Sequence, residues 1–320
     1  MITLEDFKNW LSQQESYIFS GCVEEKYPAV MEGLLNIGKV LNHKFNTYKD
    51  QTCCTGPLTK MGLGNDNTLS DFTSVNIGLR KKNEKILMSS CNGCYNYLKK
   101  SDKTVTDIDQ ILKPSTDENI KPQDQKLLLI HAVEYISAWI ESISRLIKYP
   151  INSVNFALHY GCHYMNQYSL MGEHSFRAVY AEFKGRKNWR YNSVPMYLED
   201  VLKRLGGNVS EYGELILCCG GSTPQRQINL ENAISVAEKK FTSLHAVEPD
   251  AILTMCPLCM YFLEDSQFHT RLEKSFKKKI PVIHINELIA VMLGNEELVE
   301  TINGSHRISL QPIFDKIVVK

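Results

Sequence analysis

No apolar run in this 320-residue sequence reaches the ~18 residues that a membrane-spanning helix needs. Neither sign of charge predominates, with 36 Lys and Arg against 36 Asp and Glu. The first absence argues against a membrane span, and the second against nucleic acid or an anionic membrane as a general partner. Lys39, Lys60 and the Arg186-Lys187 region remain candidates for a local basic patch. The opening residues, Met1-Ile2-Thr3-Leu4-Glu5-Asp6, lack the basic stretch and apolar core of a signal peptide. A cytoplasmic location is therefore expected, where thiols stay reduced. No Gly-x-Gly-x-x-Gly opens a βαβ unit, so flavin or nicotinamide binding through a dinucleotide fold is not expected. A ferredoxin-type Cys-x-x-Cys-x-x-Cys run is also missing, which argues against ordinary cubane clusters. Tryptophan is scarce, and Trp139 and Trp189 carry no role beyond packing.

Cysteine, by contrast, is present in one pattern written twice. The first copy is Cys22, the pair Cys53-Cys54, then Cys91-Asn92-Gly93-Cys94. The second is Cys162, the pair Cys218-Cys219, then Cys256-Pro257-Leu258-Cys259. In each copy 36 residues separate the pair from the CxxC, and no cysteine is left over. The length allows two domains, and the repeat divides the chain into 1–150 and 151–320. A CxxC alone is a weak signal, shared by redox dithiols, zinc sites and cluster ligands. Structural zinc takes four ligands, whereas each half offers five thiols, a soft set suited to iron–sulfur clusters or zinc. Adjacent cysteines in an extended chain point to opposite faces, so a bend is expected near Gly56-Pro57 and near Gly220-Gly221.

Short apolar runs alternate with amphipathic segments, which predicts an α/β fold with a mainly parallel sheet in each half. Strands are expected at 17–19, 85–90, 155–160, 214–217, 251–255 and 280–285. Helices are expected at about 27–41, from Cys94 to Lys100, at 127–147, at 230–244 and at 286–293. Residues 101–125, with Pro114 and Pro122, read as a loop or linker, and 166–191 as a long functional loop. The cysteine elements then sit at carboxyl ends of strands, where ligands gather in such sheets. His159 and His163 flank Cys162 beside Tyr160 and Tyr164. They are the candidate catalytic residues, able to hydrogen-bond a ligand sulfur or protonate a leaving thiolate. His131 is placed on a helix and read as structural. Lys60, Arg177, Lys184, Arg186 and Arg226 are candidate anchors for an anionic substrate group.

The segments Cys53-Cys54, Cys91-Asn92-Gly93-Cys94-Tyr95, His159-Tyr160-Gly161-Cys162-His163-Tyr164, Cys218-Cys219-Gly220-Gly221 and Cys256-Pro257-Leu258-Cys259 closely resemble the B subunit of heterodisulfide reductase. The resemblance runs from about Tyr17 to Leu293. It implies two tandem homologous cysteine-rich (CCG) domains, each holding a non-cubane [4Fe-4S] cluster through its five cysteines. It further implies cleavage of a small-molecule disulfide, that of coenzyme M and coenzyme B in the family. The implied partners are a ferredoxin-like, two-cluster C-type subunit and a flavin-containing A-type subunit. Two alternatives stand beside it: an electron-transfer subunit of a quinone- or hydroxyacid-linked dehydrogenase of the wider CCG group, and a zinc-stabilised scaffold. The departures from the family pattern are Thr55-Gly56-Pro57 after the first cysteine pair and an N-terminal extension of about fifteen residues, neither of which replaces an expected ligand.

Overall fold

The computed structural model describes residues 12–81, 83–101, 105–107, 127–169 and 197–317. Strand β1 (Glu15–Phe19) is wholly buried at Tyr17, Ile18 and Phe19, as a strand covered on both faces must be. It leads into α1 (Pro28–Val40), which opens on a proline suited to a first turn and buries Val30, Leu34 and Ile37. Then come β2 (Phe45–Asn46), α2 (Gly56–Lys60), α3 (Asp66–Gly78), β3 (Glu84–Ser89), α4 (Asn92–Ser101), β4 (Val105–Asp107), β5 (Leu127–His131), α5 (Ala132–Ala138) and α6 (Ile140–Leu146). These strands form one parallel sheet in the order β2-β1-β3-β5-β4.

The later residues repeat the plan. β6 (Asn155–His159) is followed by α7 (Cys162–Ser169), α8 (Tyr197–Arg204), β7 (Asn208–Val209), α9 (Thr223–Ile228) and α10 (Leu230–His245). Next are β8 (Ala251–Thr254), α11 (Pro257–Asp265), α12 (Thr270–Ser275), β9 (Val282–His284), α13 (Ile285–Met292), α14 (Glu297–Ser305) and α15 (Gln311–Ile317). Their sheet, also parallel, runs β7-β6-β8-β9. The expected α/β architecture of two parallel sheets flanked by helices is present.

Three expectations are corrected. Residues 214–217 form a turn rather than a strand. Leu127–His131 is a buried strand, not the start of a helix, and the helical part is the short pair α5 and α6. Within 101–125, Val105–Asp107 pairs with β5 as a sheet edge. Most of that segment, and all of 170–191 with Arg177, Lys184, Arg186, Lys187 and Trp189, lies outside the described residues.

The halves interlock. Helix α1 crosses α13 so closely that a Cβ on Gly33 would lie 2.6 Å from the Asn286 carbonyl oxygen. Asn286 Nδ2 donates to Val30 O (3.0 Å) and Ser90 Oγ (2.9 Å). Asn92 Nδ2 donates to Tyr160 O (2.6 Å), and the Tyr27 hydroxyl to Glu264 Oε2 (2.8 Å). All these contacts are buried, so the junction is as dry as either core.

Candidate metal centres

In each sheet the chain leaves its first strand toward one side and then crosses to the other. β2 and β3 flank β1, and β7 and β8 flank β6. Connections that diverge in this way open a crevice at the carboxyl ends of the two central strands. Cys22 follows β1 and Cys91 follows β3; Cys162 follows β6 and Cys256 follows β8. The adjacent pairs arrive on loops after the short outer strands β2 and β7. Three distant segments thus meet at each crevice.

A left-handed residue after each pair supplies the required bend, at Thr55 (φ +60°) and Gly220 (φ +91°). The first bend therefore falls one residue before the expected glycine. Thr55 N–H donates to Cys53 Sγ and Gly220 N–H to Cys218 Sγ, both at 3.3 Å. The glycine before each solitary cysteine makes room for the second thiol of the CxxC. A Cβ on Gly21 would lie 3.0 Å from Cys94 Sγ, and one on Gly161 would lie 3.1 Å from Cys259 Sγ.

All ten cysteines are free thiols. Their thiols are close enough to perturb one another in one series, Cys22–Cys53–Cys54–Cys94–Cys91 and then Cys256–Cys259–Cys219–Cys218–Cys162. Its outer link, Cys162 Sγ to Cys218 Sγ, measures 3.6 Å. The sets touch where the Cys91 thiol meets Cys256. Hydrogen bonds from Cys22 and Cys54 hold the Cys53 thiol down at about 3. Cys218 is lowered by Cys162 and Cys219. Burial opposes a similar lowering of Cys256 by Cys259 and Cys91, and the thiol donors prevail. Each set of five soft donors, free of disulfides and gathered at one crevice, fits an iron–sulfur cluster better than a four-coordinate zinc ion.

A cleft opens over the first set, walled by Cys22, Cys91 and Cys94 from one half and by His163, Ser222 and Pro257 from the other, with Lys60 beside them. Lys60 Nζ lies 2.6 Å from His163 Nε2, and His163 Nδ1 lies 3.8 Å from Cys162 Sγ. Burial lowers both groups, so a neutral imidazole accepts from the lysine. Of the two candidate histidines, His163 thus stands at the cleft. His159 is 1 % exposed and lies beneath the second set, with one ring nitrogen and the thiols of Cys219 and Cys259 all within 4.8 Å of one another. Arg226 stacks 4.9 Å over the Tyr261 ring.

Three features went unseen in the sequence. Glu24 is 2 % exposed and lines the cleft, with neither carboxyl oxygen hydrogen-bonded among the described residues; burial raises it to about 8. Lys240 is wholly buried and donates to the carbonyls of Glu214 and Leu215, next to the second set. A His-x-x-Glu motif caps a helix in each half: His131 and His284 accept from backbone N–H groups at 3.2 Å, while Glu134 and Glu287 accept from the histidine N–H groups. This last signal was readable as a repeat, and it places His131 at a strand end, not within a helix.

The CCG cysteine-rich domain matches residues 17–99 and 156–264, both halves of the pattern. The chain is 21 % identical over 284 residues, 87 % of its length and 88 % of the relative's, to the B subunit of the ferredoxin/F420H2-dependent CoB-CoM heterodisulfide reductase of Methanosarcina acetivorans. It is 24 % identical over 288 residues, covering 87 % of this chain and 90 % of the other, to a protein of Archaeoglobus profundus described as like the B subunit of heterodisulfide reductase. It is 20 % identical over 302 residues, covering 88 % and 93 %, to the 8-methylmenaquinol:fumarate reductase membrane anchor subunit of Wolinella succinogenes. No helix among the described residues is long and apolar enough to cross a membrane. In fold the chain is similar to a hypothetical protein from Helicobacter pylori, with a TM-score of 0.60 at 11 % identity over 94 % of this chain, which spans 56 % of that one. With its fold doubled, its thiols gathered five and five, and the domain matched in both halves, the chain belongs to the CCG cysteine-rich domain family and is similar along most of its length to heterodisulfide reductase B subunits.

Proposed function

We propose that this chain is the catalytic iron–sulfur subunit of a heterodisulfide reductase-like complex. Its halves, 1–150 and 151–320, each hold a non-cubane [4Fe-4S] cluster through Cys22, Cys53, Cys54, Cys91 and Cys94, and through Cys162, Cys218, Cys219, Cys256 and Cys259. A small-molecule disulfide is reduced in the cleft between them: RSSR′ + 2 e⁻ + 2 H⁺ → RSH + R′SH. The observation that carries this reading is the series of ten thiols, whose two sets adjoin at Cys91 and Cys256 beside a cleft that residues of both halves line.

Bound clusters would supply electrons one at a time, so two adjoining centres match a two-electron cleavage. The residues around them bind and position. Lys60 and His163 form a polar wall suited to a carboxylate, sulfonate or phosphate on the substrate. Burial of the inner thiols keeps water from the centres. The name of the Methanosarcina relative supports a disulfide of the coenzyme M–coenzyme B type, and that of the Archaeoglobus relative a heterodisulfide. The resemblance to B subunits further implies electron delivery by a two-cluster C-type subunit linked to a flavin-containing A-type subunit, with the chain at work in the cytoplasm.

Anaerobically purified protein should contain iron and acid-labile sulfide in amounts that fill both sets, and should cleave disulfides with a reduced dye as donor. Cys162→Ser should abolish turnover; full cleavage by a variant stripped of one centre's iron would refute the two-centre scheme, and zinc without sulfide would refute the clusters. Lys60→Ala should raise KM about tenfold, equivalent to ~1.4 kcal/mol, with kcat largely kept. An unchanged KM would remove Lys60 from substrate binding. The Wolinella relative's name supports a second reading, electron transfer to a quinone. Quinone reduction without disulfide cleavage in the same assay would select it.

A further inference from the structure

The two thiol sets match in number and spacing, but their surroundings do not. His159 is the last residue of β6, three before Cys162, and pairs in register with Thr254, two before Cys256. Phe19 holds the same place in the first half, three residues before Cys22 and opposite Ser89, two before Cys91. Phe19 is wholly buried and can offer the first set only a hydrocarbon ring. His159, equally deep, has no hydrogen-bond partner at either ring nitrogen among the described residues, and one nitrogen lies with the thiols of Cys219 and Cys259. A buried imidazole with both nitrogens unpartnered is costly, and the second centre is where the geometry brings a sulfur or a ligand site to it.

A second difference has the same sense. The loop before each cysteine pair is braced by the long helix that follows the pair. In the second half the brace is the Lys240 ammonium, which donates to the Glu214 carbonyl, to the Leu215 carbonyl at 3.4 Å and to the Tyr212 hydroxyl at 3.2 Å. In the first half it is the neutral Asn76 amide, whose Oδ1 accepts from Thr52 N–H at 2.7 Å. Lys60, although it belongs to the first half, reaches across to His163 and the second set. The buried acid of the cleft, Glu24, stands between the sets, beside Gly21, one residue from Cys22, and close enough to Cys256 to feel its charge, so it does not separate them.

Positive charge and a hydrogen bond or nitrogen ligand at the sulfurs favour the reduced, more negative state of an iron–sulfur centre. We propose that the two centres are inequivalent: the second, on Cys162, Cys218, Cys219, Cys256 and Cys259, has the higher reduction potential, with His159 as the main positioning residue and Lys240 as its support. This rests on the reading that both sets hold iron–sulfur clusters. Electrons entering the chain then collect at the second centre, next to the Lys60–His163 wall.

The test is an anaerobic redox titration followed by electron paramagnetic resonance on the full chain, wild type against His159→Phe. Phenylalanine is what the first half carries at this strand position, so the replacement keeps the volume and burial that the fold already accommodates there. Wild-type protein should show two separable reduction steps. His159→Phe should move only the upper step down, toward the lower one, and Lys240→Met should shift the same step in the same direction. The reciprocal Phe19→His should raise the lower step; if it fails to fold, His159→Phe remains decisive. Two centres that titrate together in the wild type, or an upper step that stays in place in His159→Phe, would overturn the proposal while leaving the two-cluster reading intact. A wild-type protein without iron and sulfide would overturn that reading instead.

Discussion

Gly161 concentrates the local physics of the second centre. Its φ of +81° lies where an L side chain strains, and an added Cβ would sit 2.4 Å from Asn92 Nδ2. Gly161→Ala should cost at least the ~1–2 kcal/mol of a left-handed alanine, seen as a lower melting temperature and poorer iron retention. An unshifted melt would mean that the turn adapts freely. Thr55 presents the opposite case, a threonine at φ +60° where the second half has Gly220 at +91°. Thr55→Gly should therefore stabilise the chain by up to about 1 kcal/mol, less whatever the bond from Thr55 Oγ1 to Cys54 O contributes; a lower melting temperature would show that this bond outweighs the strain. The cysteine spacing announced that a bend was needed in both places. Its exact residue was not legible, because threonine carries no left-handed preference and only the path of the thiols imposes it.

Among the secondary-structure elements, the strands that fall directly before Cys22, Cys91, Cys162 and Cys256 were readable from short apolar runs that end at the cysteine. The misreadings have physical causes. Leu127–Ile130 is apolar without interruption and runs into an amphipathic stretch, so strand and helix merge into one pattern. Residues 214–217 look like a strand, but the Lys240 ammonium occupies the Glu214 and Leu215 carbonyls that a neighbouring strand would need. A distant element also decides the state of His306, which ends α14. It lies between Glu264 of α11 (3.4 Å) and Glu287 of α13 (3.2 Å), and its ring is 5.0 Å from Tyr27. Burial alone would lower it, but Glu287 and Glu264 raise it to about 9. Its contribution to stability is full below the unfolded value near 6.5 and is lost as pH rises through about 9. Urea midpoints of the wild type should fall as pH rises from the unfolded value through the folded one, and His306→Gln should flatten that slope. Parallel slopes would show that other groups set the alkaline limit.

For the molecule as a whole, the junction between the halves carries both stability and chemistry. Asn286→Leu would remove the bonds to Val30 O and Ser90 Oγ from a buried interface and leave the Ser90 hydroxyl without this partner. It should cost roughly 1–3 kcal/mol by urea denaturation, and a neutral result would mean that the interface rearranges to pair them. Residues 1–150 expressed alone should fail to give a stable monomer, because the face of α1 that α13 covers would meet water; a cooperative melt of that fragment would argue for autonomous halves. From the cysteines alone one could foresee a doubled α/β fold and five thiols at each crevice, because spacing along the chain and strand-to-helix punctuation are local properties. That the two sets touch at Cys91 and Cys256 and that Lys60 crosses to His163 are matters of how one half is rotated onto the other, and that His159 faces sulfur where Phe19 does not is a matter of how the second half folds on itself. Contacts between groups far apart in sequence arise from packing complementary surfaces, and no pattern within either repeat encodes them.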